Sequence, residues 1–238
     1  MIESIQGALK AIREKGAQPP ITRYRYTNGD YSAEKAMELV EAIGESHCPG
    51  FTIDDDNRFV YENFVKWLHG DQTMRALDPD TKDEVPGDMK KGIYIAGGIG
   101  TGKTMCTEVM AEYGQMFVFK ITFGGDRDRA LTWASDSADG IVQHFVSEKE
   151  MDWWQKKDTV CIQDLGSEPT EAVAMGFRVN VLRSLLEFRG DHRDRLTIIT
   201  SNYPMASPVL AEAYGERVTS RLRGMCNYYE MKGKDRRR

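Results

Sequence analysis

One octapeptide constrains this chain more than any other feature: Gly97-Gly98-Ile99-Gly100-Thr101-Gly102-Lys103-Thr104. It follows a short apolar run, Ile93 to Ala96, and opens a segment of helical pattern, Lys103 to Tyr113. A strand, a glycine-rich turn and a helix in that order make an anion cradle. Glycines let the backbone turn its N–H groups inward and let phosphate oxygens approach without Cβ clashes, while the helix N-terminus adds positive potential. A lysine at position 103 reaches the β- and γ-phosphates, and the Thr104 hydroxyl is placed to coordinate Mg2+. The expected nucleotide-binding residues are therefore Gly97, Gly98, Ile99, Gly100, Thr101, Gly102, Lys103, Thr104 and Met105, with ATP and Mg2+ as ligands.

From Gly92 onward, short apolar runs alternate with helical segments, the pattern of a parallel sheet with crossover helices. The predicted strands are Ile93 to Ala96, Met116 to Thr122, Val160 to Ile162 and Leu196 to Thr200. The predicted helices between them are Lys103 to Tyr113, Asp139 to Val146 and Phe177 to Arg189, the last closed by Gly190. A further helix follows Ser207, with Pro208 at its first position and Gly215 past its end. Upstream, Asp71 to Lys91 is polar and turn-rich and reads as a loop, preceded by a helix from Asp56 to Leu68 that the Asp run caps and Gly70 stops. Residues 1–50 read as two short helices separated by Pro19-Pro20 and a turn at Asn28-Gly29, the second running from Ser32 to Ile43 and ended by Gly44. The expected architecture is α/β, a three-layer sandwich around a mostly parallel sheet, with residues 51–238 as the core and 1–50 as a small helical region available to a partner.

With 238 residues, 40% hydrophobic and 29% charged, the chain is long and apolar enough for one α/β domain, which excludes a disordered chain. The net charge of −5 is unevenly spread. Arg217, Arg221, Arg223, Lys232, Lys234, Arg236, Arg237 and Arg238 crowd the C-terminal stretch, while Asp54, Asp55, Asp56, Asp78, Asp80, Asp83 and Glu84 load the first part with acid. The basic run suits either a solvated tail or contact with phosphate or nucleic acid. Cys48, Cys106, Cys161 and Cys226 form no CxxC pair, so reduced thiols and no structural zinc are expected. The amphipathic start, with Ile2, Ile5, Leu9 and Ile12 on one face, lacks the features of a signal peptide, and no apolar run reaches membrane-spanning length. A cytoplasmic protein is expected.

Hydrolysis requires an acid at the end of a neighbouring strand, to hold Mg2+ and to orient water. Thr159-Val160-Cys161-Ile162-Gln163-Asp164 supplies Asp164, but an amide, Gln163, stands where the first of two acids is expected. That loss of charge complementarity predicts weak metal affinity or slow turnover. Leu196 to Asn202 is a second buried strand ending in polar residues, which brings Asn202 to the same sheet edge, where it can align the attacking water. Arg217 and Arg221 lie four residues apart on one helical face and suit a guanidinium supplied to a neighbouring subunit's γ-phosphate.

Taken together, GGIGTGKT, CIQDLGSEP, TIITSNYP, GERVTSRLRGM and the closing GKDRRR resemble the AAA+ ATPases of the DnaC/IstB group over roughly residues 50–238. The resemblance implies that Asn202 is sensor 1, Arg221 the arginine finger with Arg217 as alternate, and Arg237 the sensor 2 arginine. It further implies ATP-dependent homo-oligomeric assembly on single-stranded DNA, a replicative helicase or a transposase as partner, and no full C-terminal lid domain. A binding scaffold that barely hydrolyses ATP is the remaining alternative, on the ground of Gln163.

Overall fold

A computed structural model of the chain describes residues 22–24, 32–117, 119–122, 128–174, 177–192 and 194–237. In chain order the elements are β1 (Thr22–Tyr24), α1 (Ala33–His47), α2 (Arg58–His69), β2 (Arg75–Leu77), β3 (Glu84–Pro86), β4 (Gly92–Gly97) and α3 (Lys103–Phe117). There follow β5 (Lys120–Thr122), β6 (Asp128–Ala130), β7 (Ala134–Ser137), α4 (Ala138–Glu148), α5 (Asp152–Lys156), β8 (Thr159–Leu165), β9 (Ala172–Ala174) and β10 (Phe177–Val179). The last elements are α6 (Val181–Asp191), β11 (Leu196–Ser201), α7 (Pro208–Tyr214), α8 (Glu216–Met225) and β12 (Cys226–Met231).

The central sheet runs β3-β2-β12-β4-β11-β8-β7. Its pairings from β12 to β7 are parallel, and β2 and β3 add an antiparallel margin. Strands buried on both faces need apolar side chains both up and down. Ile93, Ile95, Cys161, Ile198 and Tyr229 pack under α1, α2 and α3, whereas Tyr94, Ile162, Ile199 and Tyr228 pack under α4, α6, α7 and α8. The result is the expected three-layer α/β sandwich with a mostly parallel sheet.

Several boundaries differ from the sequence reading, each for a physical reason. The stretch Asp71 to Lys91 holds the hairpin β2-β3, whose turn is built by Asp78: its Oδ1 accepts the N–H of Asp80 and of Thr81, both at 2.9 Å. The run Met116 to Thr122 is not a central strand. Helix α3 continues to Phe117, and Lys120–Thr122 pairs with β1 and β6 in a small separate sheet. The edge of the central sheet is instead Ala134–Ser137, whose Ala-Ser-Asp-Ser polarity hid it. Residues Phe177–Val179 form a hairpin with Ala172–Ala174, and the helix starts only after Asn180, whose side chain accepts from the Arg183 N–H. The closing strand β12 went unread. The N-cap of α2 is Asn57, with no side-chain bond to the helix, rather than the Asp run. Gly44 and Gly190 stop no helix. A Cβ at Gly44 would lie 2.3 Å from the Phe51 ring, and one at Gly190 would lie 2.7 Å from the Arg221 side chain, so both glycines serve close packing. The first expected helix and the Asn28-Gly29 turn lie outside the described residues.

Arg189 on α6 is 1% exposed and joins three elements. Its Nη1 donates to the carbonyls of Trp154 and Lys157, both at 2.9 Å, its Nη2 to that of Leu196 at 2.5 Å, and its Nε to Thr197 Oγ1 at 2.9 Å. Burial pushes its pKa down to about 9, but this ring of acceptors, partly the C-terminal carbonyls of α5, fits only the cation. Arg189→Met keeps the stem and strands those acceptors, so it should destabilise the fold by roughly 3 kcal/mol. Thermal unfolding followed by circular dichroism should then show a Tm lower by roughly 6–12 °C; an unchanged Tm would refute the role.

Candidate nucleotide site

Strand β4 lies between β12 and β11 and ends at Gly97, and α3 begins at Lys103. Gly100 and Gly102 take φ values of 75° and 99°, a region that a side chain disfavours. A Cβ on Gly97 would sit 2.5 Å from the Met231 carbonyl oxygen, and one on Gly100 only 2.0 Å from the Asp235 carboxylate. These contacts fix the loop between β12 and the segment beyond it.

The Lys103 ammonium donates to the Gly97 carbonyl at 3.0 Å, to the Gly98 carbonyl at 2.8 Å and to Asn202 Oδ1 at 2.8 Å. Burial lowers its pKa, the charge of Asp164 opposes that shift, and Arg237 adds to it. Lys103 is thus a buried cation satisfied by neutral oxygens.

Strand β8 reaches the same edge with a one-residue irregularity. Ile162 pairs with Ile199 and Leu165 with Ser201, so Gln163 and Asp164 together oppose Thr200. A bulge of this kind re-aims a side chain. Asp164 takes a left-handed φ of 54°, a conformation that costs a non-glycine residue on the order of 1 kcal/mol. Its N–H donates to Thr200 Oγ1 at 2.9 Å, and its carbonyl accepts from the Ser167 N–H and hydroxyl at 3.0 and 2.7 Å. The Gln163 Nε2 lies 3.4 Å from Thr107 Oγ1 on α3.

Between these groups lies a hollow of about 750 Å³, within the usual range for ligand pockets. Ile99, Gly100, Thr101, Gly102, Lys103, Thr104 and Met105 line it, together with Asp164, Asn202 and Arg237. Gly97 and Gly98 contribute their carbonyls to Lys103 from behind. The glycine cradle, a lysine, and the Thr104 hydroxyl with the Asp164 carboxylate suit a triphosphate and a hard divalent cation. Arg221 does not line the hollow. It sits on α8 with its stem against Gly190, and its Nε and Nη2 donate to Asp191 Oδ1 at 3.1 and 2.5 Å. Arg217 is more exposed and lies 3.9 Å from the same carboxylate.

The far wall was missed from sequence. Cys48, Pro49, Gly50, Phe51, Thr52, Asn57 and Tyr61 close the hollow, and the segment after β12 straps it. The Arg236 N–H donates to the Gly100 carbonyl at 2.9 Å, and its guanidinium pairs with Asp54 at 2.7 Å. Arg223 likewise pairs with Asp80. The signal was the charge asymmetry itself: part of the basic C-terminal stretch pairs with the early acid. Lys232, Lys234 and Arg237 remain exposed.

Sheet order, glycine cradle and strand-end residues define a P-loop α/β fold. Solved structures agree: the chain has the fold of the DnaC helicase loader, with TM-score 0.50 and 18% identity over 76% of this chain and 93% of that one. A candidate primosome component from Streptococcus pyogenes serotype M3 matches with TM-score 0.53 and 17% identity, over 77% of this chain and 84% of the other. No family model and no curated protein sequence matches the chain. Among the described residues, no helix is long and apolar enough to cross a membrane.

Of the cysteines, Cys48 is exposed in the wall of the hollow while Cys106, Cys161 and Cys226 are buried, and burial pushes the thiols of Cys161 and Cys226 up to about 12. Thiol titration of the native protein with a chromogenic disulfide should therefore give one fast-reacting group, absent from Cys48→Ser, and saturating ATP should slow it. Three or four fast groups would contradict this geometry.

Proposed function

We propose that this chain binds and hydrolyses ATP and acts as a DnaC-type helicase loader, assembling on DNA in an ATP-dependent manner. The observation that carries the reading is the convergence of Lys103, Asp164 and Asn202, from three parallel strands or their exits, on one glycine cradle. In this reading Gly98 to Met105 hold the phosphates, and Lys103 leaves its carbonyl partners for the β- and γ-oxygens. Thr104 and Asp164 hold Mg2+, which neutralises charge developing on the phosphates. Asp164 and Asn202 orient the attacking water, and Arg237 places a second positive charge beside the phosphates.

Arg221 is proposed to act on the nucleotide of a second copy of the chain, with Arg217 as alternate. Its position outside its own hollow supports action in trans, and assembly then exchanges Asp191 for the neighbour's γ-phosphate. The proposed partners are single-stranded DNA and a replicative helicase; a transposase in place of the helicase makes it an IstB-like helper. The amide of Gln163 favours a second reading, an ATP-binding scaffold with slow hydrolysis, because one expected negative charge is missing at the metal.

ATPase rate per protomer should rise steeply with protein concentration or with added single-stranded DNA. Arg221→Ala should remove that rise while leaving fluorescent-ATP affinity intact, and Lys103→Ala should abolish binding. A rate per protomer independent of concentration and DNA would refute assembly, and absence of any Mg2+-ATP binding would refute the whole reading. Gln163→Asp separates the two readings: turnover raised by about tenfold or more supports the scaffold.

A further inference from the structure

The turn after Asp164 is held by a carboxylate to which no role has yet been given. Glu168 is 7% exposed, and both its oxygens are committed. Oε2 accepts the Gly166 N–H at 2.9 Å, and Oε1 accepts the hydroxyl of Tyr214, itself 1% exposed. Gly166 has a φ of 93°, and the Tyr203 ring lies where its Cβ would be, at 2.9 Å, so the turn is seated as well as tied. Ser201, the last residue of β11, adds a hydroxyl that donates to the Leu165 carbonyl at 2.6 Å.

Glu168 does not line the hollow, so it is not placed to meet a ligand there. Ser167, between it and Asp164 along the chain, lines the hollow instead. Glu168 acts on backbone, and the backbone it acts on is the left-handed turn that re-aims Asp164. Its second contact matters as much. Tyr214 is the last residue of α7, and only Gly215 separates it from α8, which carries Arg217 and Arg221. One buried side chain thus bridges the turn bearing the strand-end acid and the foot of the arginine helix.

We propose that Glu168 is a positioning residue for ATP hydrolysis, fixing the aim of Asp164 through Gly166 and linking that aim through Tyr214 to the helix that meets a neighbouring subunit. The proposal rests on the reading of Asp164 as the group that orients water. Loss of the link leaves the glycine cradle and Lys103 untouched, so the rate falls while binding does not. Misplacement of a reacting group by about 1 Å is enough to lower a rate by up to roughly a hundredfold.

The test uses the full chain, with Glu168→Gln as a near-isosteric variant and Tyr214→Phe as a milder one that deletes a single hydroxyl. Fluorescent-ATP affinity and kcat are measured for each at saturating protein, beside wild type and Asp164→Asn. The expected result is an affinity within about twofold of wild type for both variants, with kcat lower by roughly ten- to a hundredfold for Glu168→Gln and by a smaller factor for Tyr214→Phe. The inference is overturned if both variants keep the wild-type kcat, or if affinity and kcat fall together by the same factor, the mark of a merely structural role. Failure of the underlying reading looks different: wild type itself does not hydrolyse ATP, or Asp164→Asn turns over as fast as wild type.

Discussion

An ammonium group held on three neutral oxygens is a cation arranged to receive an anion, and the site is organised around that unfinished pairing. The Gly97 and Gly98 carbonyls and Asn202 keep the Lys103 side chain extended into the hollow. They can do so only because β4, β11 and β8 run parallel, with Ser201 opposite Ala96 and Ile199 opposite Ile162. Parallel strands in register end together, so residues about 40 to 100 positions apart in the chain present their side chains at one edge. Shifting β11 by one residue would turn Asn202 away and place its apolar neighbours against the wrong layer.

What the amino-acid order disclosed was what local physics dictates. The octapeptide, the buried runs around Ile95, Ile162 and Ile198, and the Ser207-Pro208 start of α7 each carry their own cause, and each stands where it was expected. Misread positions are those where a distant partner decides. Gly44 and Gly190 look like stops until Phe51 and Arg221 occupy the space of their missing side chains. Ala134–Ser137 lacks strand pattern because it sits at an edge and pairs only with β8. The bulge at Gln163 and Asp164 is invisible locally, since it exists only relative to the register of β11. That Lys103, Thr104, Asp164 and Asn202 meet at one hollow was therefore readable, whereas the Cys48 to Asn57 wall and the contacts of Arg236 were not.

The opposed charges at the two ends of the described core supply a further constraint. Exposed ion pairs contribute little stability individually. Their value here is positional: Arg236 on Asp54, Arg223 on Asp80 and the Lys232 N–H on the Asp56 carbonyl at 3.0 Å fix where the segment after β12 runs. That path crosses the glycine loop at Gly100, so the loop is bounded by its own β4 on one side and by the segment after β12 on the other. Arg237 is delivered to the hollow by the same path.

The two sides of the site are unequal. Under the proposed reading, Lys103 and Arg237 stand toward the phosphates, and the Thr104 hydroxyl and the Asp164 carboxylate toward the metal, while Gln163 Nε2 lies 3.4 Å from Thr107 Oγ1. Charge complementarity would then be stronger for a nucleotide than for a cation accompanying it. Under the proposed reading this asymmetry makes bound ATP the stable state and hydrolysis the step that needs help, and a neighbour's guanidinium is a positive charge of the kind that can provide it. Binding would then be a property of one protomer, and turnover a property of the assembly.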